Sequence, residues 1–274
     1  MKAKFLVSLL FAALSLFGED FDPFGGPKPL AIVIQTQPWA SVIGADNPRF
    51  AMYDDGTLIF LASATNANAY LRATLSKKEL AEFKEKLKPV FAVKDLKDRY
   101  TMGRPATDQP STLFYLRQED RELTASVYGL TRRTATNRSG TTVQLGGQEV
   151  VPSELLELYK YCSSMHRPGE EWIPRYVEVM VWPYDYAPEE SIVWPNEWPN
   201  FKGPRAMQRG NSYSIFLDGN AKPELRRFLA TRKEKGAVEI EGKKWAASWR
   251  DVFPSEPIWR EAMEGGTDAS PLQK

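Results

Sequence analysis

Apolar and polar positions along the chain fall into short alternating runs separated by turn residues, with helical spacing in only a few places. Residues 30–36 (LAIVIQT) are an apolar run of strand length. Residues 50–53 and 57–61 flank Asp54-Asp55-Gly56, which predicts a tight hairpin. Ser76 with Glu79 three positions on is a capping box, and Leu75 and Leu80 are spaced as a hydrophobic staple. Leu80, Phe83 and Leu87 make the stripe of that helix, and Pro89 is expected to end it. Residues 112–117 carry Leu113, Phe114, Tyr115 and Leu116 in a row, as a strand buried on both faces would. Residues 122–128 alternate, with Leu123, Ala125 and Val127 inward. Residues 131–148 are polar, lack a period and read as a long loop. A second helix spans 152–163, with Leu155, Leu158, Tyr159 and Cys162 on one face.

The second half repeats this order loosely. Val177, Val179 and Val181 alternate, as do Tyr213, Ile215 and Leu217 before Asp218-Gly219. A helix follows, with Pro223 in its first turn, Leu225, Phe228 and Leu229 on one face, and Gly236 as its expected stop. Residues 237–240 and 244–250 then pair across Glu241-Gly242. The fold class is α+β, read as two tandem modules, each an antiparallel sheet backed by one or two helices. The modules span 30–170 and 171–263, after a linker at 19–29 and before a polar tail at 264–274.

The N-terminus changes the picture from fold to address. Lys2 and Lys4 precede an apolar run at 5–17, too short to span a bilayer, with cleavage expected near Ser15 or Gly18. Residues 1–18 therefore read as a signal peptide, and the mature protein as periplasmic or extracellular, with no membrane span left. Cleavage lowers the 36 basic residues to 34 against 35 acidic, a net charge of −1. That balance supplies no field for nucleic acid. Arg132, Arg133 and Arg138 cluster only in the 131–148 loop. The single Cys rules out an intramolecular disulfide and any CxxC motif, and the single His rules out a metal site needing two. Cys162 reads as a buried, inert thiol.

The first half also resembles a family of bacterial exported proteins and lipoproteins. The matching residues are FAMYDDGT at 50–57, Leu75-Ser76 opening a helix, Tyr100, TDQPST at 107–112, SVYG at 126–129 and a P-x-x-L-x-x-L helix at 152–158. The second half is similar to longer members in a strand, a Trp-Pro loop and a final strand pair before Phe253-Pro-Ser-Glu-Pro257. The resemblance covers most of 46–259. It implies export and a helix-backed sheet, and it assigns no activity. Many members carry a lipid-attachment Cys, whereas no Cys follows the apolar run here.

No catalytic signature is present: no G-x-S-x-G, S-x-x-K, G-x-x-x-x-G-K-[ST], or G-x-G-x-x-G after a strand. No cofactor is implied. Cys162 and His166 are one helical turn apart, yet Ser163, Ser164 and Arg167-Pro168-Gly169 predict a helix end between them. In 107–110 the Asp108 side chain suits a turn, and Pro110 keeps Gln109 extended. Asp108, Tyr100 and Tyr128 are candidate binding residues on that loop.

The densest chemistry lies at 182–201. Trp182, Tyr184, Tyr186, Trp194, Trp198 and Phe201 give six aromatics in twenty residues, interleaved with Asp185, Glu189, Glu190 and Glu197. Exposed rings beside carboxylates suit sugars, and a carboxylate pair at the right separation hydrolyses glycosides. Equally, Trp-Pro steps make a rigid loop whose indoles cover a sheet. Two functions stay open. One is a non-enzymatic exported protein, accessory or inhibitor-like, that binds another macromolecule of the envelope. The other is a protein that binds or hydrolyses glycans through 182–201.

Overall fold

The computed structural model describes residues 21–36, 46–62, 70–102, 109–130, 134–136, 142–144 and 150–265. The segment read from the sequence as a signal peptide and Asp108 lie outside these residues, as does the tail beyond 265. The first half gives β1 (Pro29–Gln35), β2 (Pro48–Tyr53), β3 (Thr57–Leu61), β4 (Tyr70–Thr74), α1 (Lys77–Ala92), β5 (Arg99–Thr101), β6 (Ser111–Gln118) and β7 (Arg121–Tyr128). A short pair, β8 (Thr134–Thr136) and β9 (Thr142–Gln144), interrupts the stretch read as loop, and α2 (Ser153–Ser163) follows. Then come β10 (Glu170–Glu171), β11 (Tyr176–Pro183), β12 (Glu189–Val193), β13 (Ala206–Arg209), β14 (Ser212–Asp218), α3 (Lys222–Ala230), β15 (Gly236–Ile240), β16 (Lys243–Asp251) and α4 (Glu256–Gly265).

The strands make two large sheets, ordered β10-β4-β3-β2-β1-β6-β7-β5 and β12-β15-β16-β11-β14-β13. The architecture is α+β and mostly strand. Neither sheet is purely antiparallel, since β5 runs parallel to β7 and β12 parallel to β15.

The first sheet is apolar on both faces, as the run at 113–116 predicts. On one face Val33, Phe50, Met52, Leu58, Phe60, Phe114 and Leu116 pack under Phe83 and Leu87 of α1 and Leu155 and Leu158 of α2. Cys162 is buried in this core, and burial pushes its thiol pKa up. On the other face Ile32, Ile34, Ala51, Tyr53, Ile59 and Tyr115 are covered by Trp172, Phe253, and Trp259 and Met263 of α4. The helix over this face thus comes from the far end of the chain. The spacing of Trp259, Ala262 and Met263 is that of one helical face, although the sequence reading left α4 out.

The second sheet borrows in return. Val177, Val179, Val181, Ile215, Leu217, Val238 and Ile240 pack under α3 and the 194–201 loop. On the opposite face Tyr176, Phe216 and Val252 receive Phe21 and Phe24, from the segment expected as a linker. The Phe24 carbonyl accepts the Ser255 N–H at 2.6 Å, so the two crossing segments meet.

Strand alternation puts Glu178, Ser214 and Arg250 on that same face. All three are buried, and Glu178 sits opposite Arg250 in the β11–β16 register. Arg250 bridges Glu178 to Glu256 of α4, and Glu256 also holds Arg260. Arg260 donates to the Asp46 carbonyl at 3.1 Å, just before β2. Four alternating charges therefore run from the second sheet through α4 to the rim of the first.

Two sequence expectations for helix ends fail for physical reasons. The helix α1 runs through Pro89 to Ala92. A proline removes one helical hydrogen bond, but Val90 and Phe91 are buried and hold the last turn on the core. The helix α3 stops at Ala230, and Gly236 instead opens β15. A Cβ at Gly236 would lie 2.7 Å from the Glu190 carbonyl, so the glycine admits β12.

The capping box of α1 forms as expected. Ser76 N–H donates to the Glu79 carboxylate at 2.7 Å, and this bond holds the Glu79 pKa below its ordinary range. A depressed carboxyl adds stability above its unfolded-state pKa and loses it as pH falls through the folded value. The stability gap between wild type and Glu79→Ala, read by urea denaturation, is expected to narrow as pH falls below the ordinary glutamate range. A gap that stays constant into acid would contradict the cap.

Candidate functional site

The 182–201 segment divides into a buried part and a displayed part. Trp194 and Trp198 are buried. Their rings meet edge-on at 5.0 Å, and each meets Phe228 of α3. The Trp194 indole N–H donates to the Pro199 carbonyl at 3.0 Å, and its backbone N–H to the Glu239 carbonyl at 2.9 Å. Phe201 stacks on Tyr213 and leans on Trp245. The indoles thus cover the second sheet, which is the structural alternative weighed from the sequence.

The displayed part lies elsewhere. Because β11 is antiparallel to β16, β16 antiparallel to β15, and β12 parallel to β15, β11 and β12 run the same way. Residues 184–188 carry the chain across two strands without a helix. Tyr184 N–H donates to the Lys244 carbonyl at 3.0 Å, and Ala187 N–H closes a turn on the Tyr184 carbonyl at 3.0 Å. This turn holds Tyr184 and Tyr186 edge-on at 5.0 Å, with Tyr186 82% exposed. Val193, at the far end of the edge strand β12, is 68% exposed.

A groove of about 460 Å³ opens beside the buried indoles, between the 197–205 loop and the end of β14. Trp198, Pro199, Pro204, Leu217 and Ala221 give it apolar walls. Glu197, Arg205 and Asp218 supply the polar groups. Arg205 donates to Asp218 at 2.9 Å, and that bond raises the guanidinium pKa. Glu197 is exposed and has no ionic partner among the described residues. The groove can therefore offer two acceptors and a donor above an apolar wall. Sequence reading found Glu197 and Trp198 but stopped at Phe201. It missed Arg205 and Asp218, which come together with the loop only when β13 pairs with β14.

The remaining candidates separate. Trp182 is half-buried on the face of the second sheet away from Val181. Tyr128 lies on the first sheet, where its hydroxyl accepts the Gln109 N–H at 3.0 Å. Tyr100 is buried, and its hydroxyl accepts the Lys97 N–H at 2.9 Å. His166 is exposed, beyond the end of α2. Among the described residues no group of three or more His, Cys, Asp or Glu is arranged to hold a metal, and no helix is long and apolar enough to cross a membrane. No family model, curated protein or solved structure matches the chain.

The division of the aromatic segment is measurable. Trp194→Ala is expected to cost about 3–5 kcal/mol in urea unfolding, as for other buried tryptophans. Tyr186→Ala should stay within about 0.5 kcal/mol of wild type. Equal losses at the two positions would contradict this assignment.

Proposed function

We propose that this is an exported protein of the cell envelope that acts by binding another macromolecule, in an accessory or inhibitor-like role. Its contact surface is the turn and edge strand at 184–193. The observation that carries the reading is Tyr186, turned into solvent and held edge-on against half-buried Tyr184 by a turn that backbone hydrogen bonds fix. Tyrosine presents a large, stiff contact area, and such residues concentrate at interface hot spots. The strand β12 beside it pairs on one side only among the described residues and ends in exposed Val193. The charged run at Lys2 and Lys4 with the apolar stretch at 5–17 supports export. The repeated order of strands, helix and strand pair supports a reading as two sheet–helix modules whose terminal segments have crossed over.

A photo-reactive residue placed at Tyr186 should give a discrete protein adduct in intact cells. The same residue at Lys84, exposed on α1, should give none. The absence of an adduct at Tyr186, or equal adducts at both, would overturn the reading.

The groove favours a second reading, glycan binding, because Trp198, Pro199 and Pro204 wall a space that also holds Glu197, Arg205 and Asp218. Glycan-array binding by wild type that is lost in Glu197→Gln and Asp218→Asn would move the function there.

A further inference from the structure

We infer that α4 is an exchangeable arm: a second copy of this chain takes its place, each copy laying its α4 on the other's first sheet. The interface needed for this is already present within one chain. Trp259 and Met263 are buried in the cluster of Ile32, Ala51, Tyr53 and Tyr115. Glu256 meets Arg250, and Arg260 donates to the Asp46 carbonyl. An α4 supplied by a second copy meets the same residues. Exchange therefore keeps every contact of the helix, and what decides it is the joint that carries the arm.

That joint is short and strained. Only residues 252–255 link Asp251, at the end of β16, to Glu256, at the start of α4. Pro254 biases Phe253 to extended backbone. Ser255 then turns the chain into α4 with φ +52°, in the left-handed region. The other described non-glycine residues at positive φ, Asp95, Glu119 and Glu241, are exposed, whereas Ser255 is half-buried between two packed elements. A left-handed serine is strained by its Cβ, and it persists only where its surroundings impose it. A short joint under strain is the setting in which an element exchanges between copies.

Residues 24–27 are what hold the joint in this form. Ser255 N–H donates to the Phe24 carbonyl at 2.6 Å, and its hydroxyl to the Pro27 carbonyl at 3.0 Å. Gly26, at φ +148°, lets the segment close in, since a Cβ there would lie 2.7 Å from Pro254 Cβ. Phe24 is in turn held edge-on against Phe216, with centroids 5.7 Å apart. The strain at Ser255 is thus offset by bonds to a segment remote in sequence. When that segment lifts, the joint straightens and α4 is free to reach a neighbouring copy.

The test refolds the chain from urea at about 10 μM and about 1 mM and separates the products by size. Ser255→Ala and Ser255→Gly both lose the hydroxyl and differ in their tolerance of a left-handed φ. Ser255→Ala is expected to give more dimer than Ser255→Gly, by about fivefold or above. The dimer share should rise with concentration and persist on dilution, because each α4 must leave its site before it can return. A photo-reactive residue at Met263 should join the two copies of the dimer covalently, since Met263 packs in the first sheet's cluster. No dimer in Ser255→Ala at the higher concentration, equal dimer in the two variants, or Met263 adducts confined to one chain would overturn the exchange.

Discussion

The first sheet has two apolar faces, and helices from its own stretch of chain cover only one. Ile32, Ile34, Ala51, Tyr53, Ile59 and Tyr115 would otherwise face water together, an apolar patch of the kind folded monomers do not leave open. The chain meets this constraint by sending α4 back from its far end. The second sheet has a matching gap over Tyr176 and Phe216, filled by Phe21 and Phe24. Each sheet is therefore completed by residues remote in sequence, and neither gap closes without the other half.

The buried charges follow from that exchange. Arg250 between Glu178 and Glu256 is expensive to desolvate, and removing one partner from a buried pair costs more than the pair contributes. Its value is specificity: α4 docks where Glu256 meets Arg250 and Arg260 meets the Asp46 carbonyl. Apolar packing brings the helix to the sheet, and the ion chain sets its position. The buried indoles, by contrast, serve the second sheet, and the 184–188 turn is held by its own backbone bonds and by Lys244.

Local chemistry was legible in the sequence wherever one element decides it. The Ser76–Glu79 box, the Asp54–Gly56 hairpin and the two-faced strand at 112–117 all form as their residues dictate. Pro89 and Gly236 misled because tertiary burial at Val90 and Phe91, and close approach of Glu190, outweigh local preference. Phe21 and Phe24 read as linker because their partner, Phe216, is nearly two hundred positions away. Of the site, Glu197 and Trp198 were visible as an aromatic-acidic cluster. Arg205 and Asp218 were not, since no spacing rule links residues joined by strand pairing.

The central claim is that the crossing segments make both sheets one cooperative unit. Native-state hydrogen exchange on Trp259→Ala tests it most directly, because Trp259 is fully buried in the core cluster on the face of the first sheet. The account predicts that the most protected amides of β11 and β14 lose as much free energy of opening as those of β1 and β6, about 3–5 kcal/mol. Loss confined to the first sheet, with β11 and β14 as protected as in wild type, would contradict it.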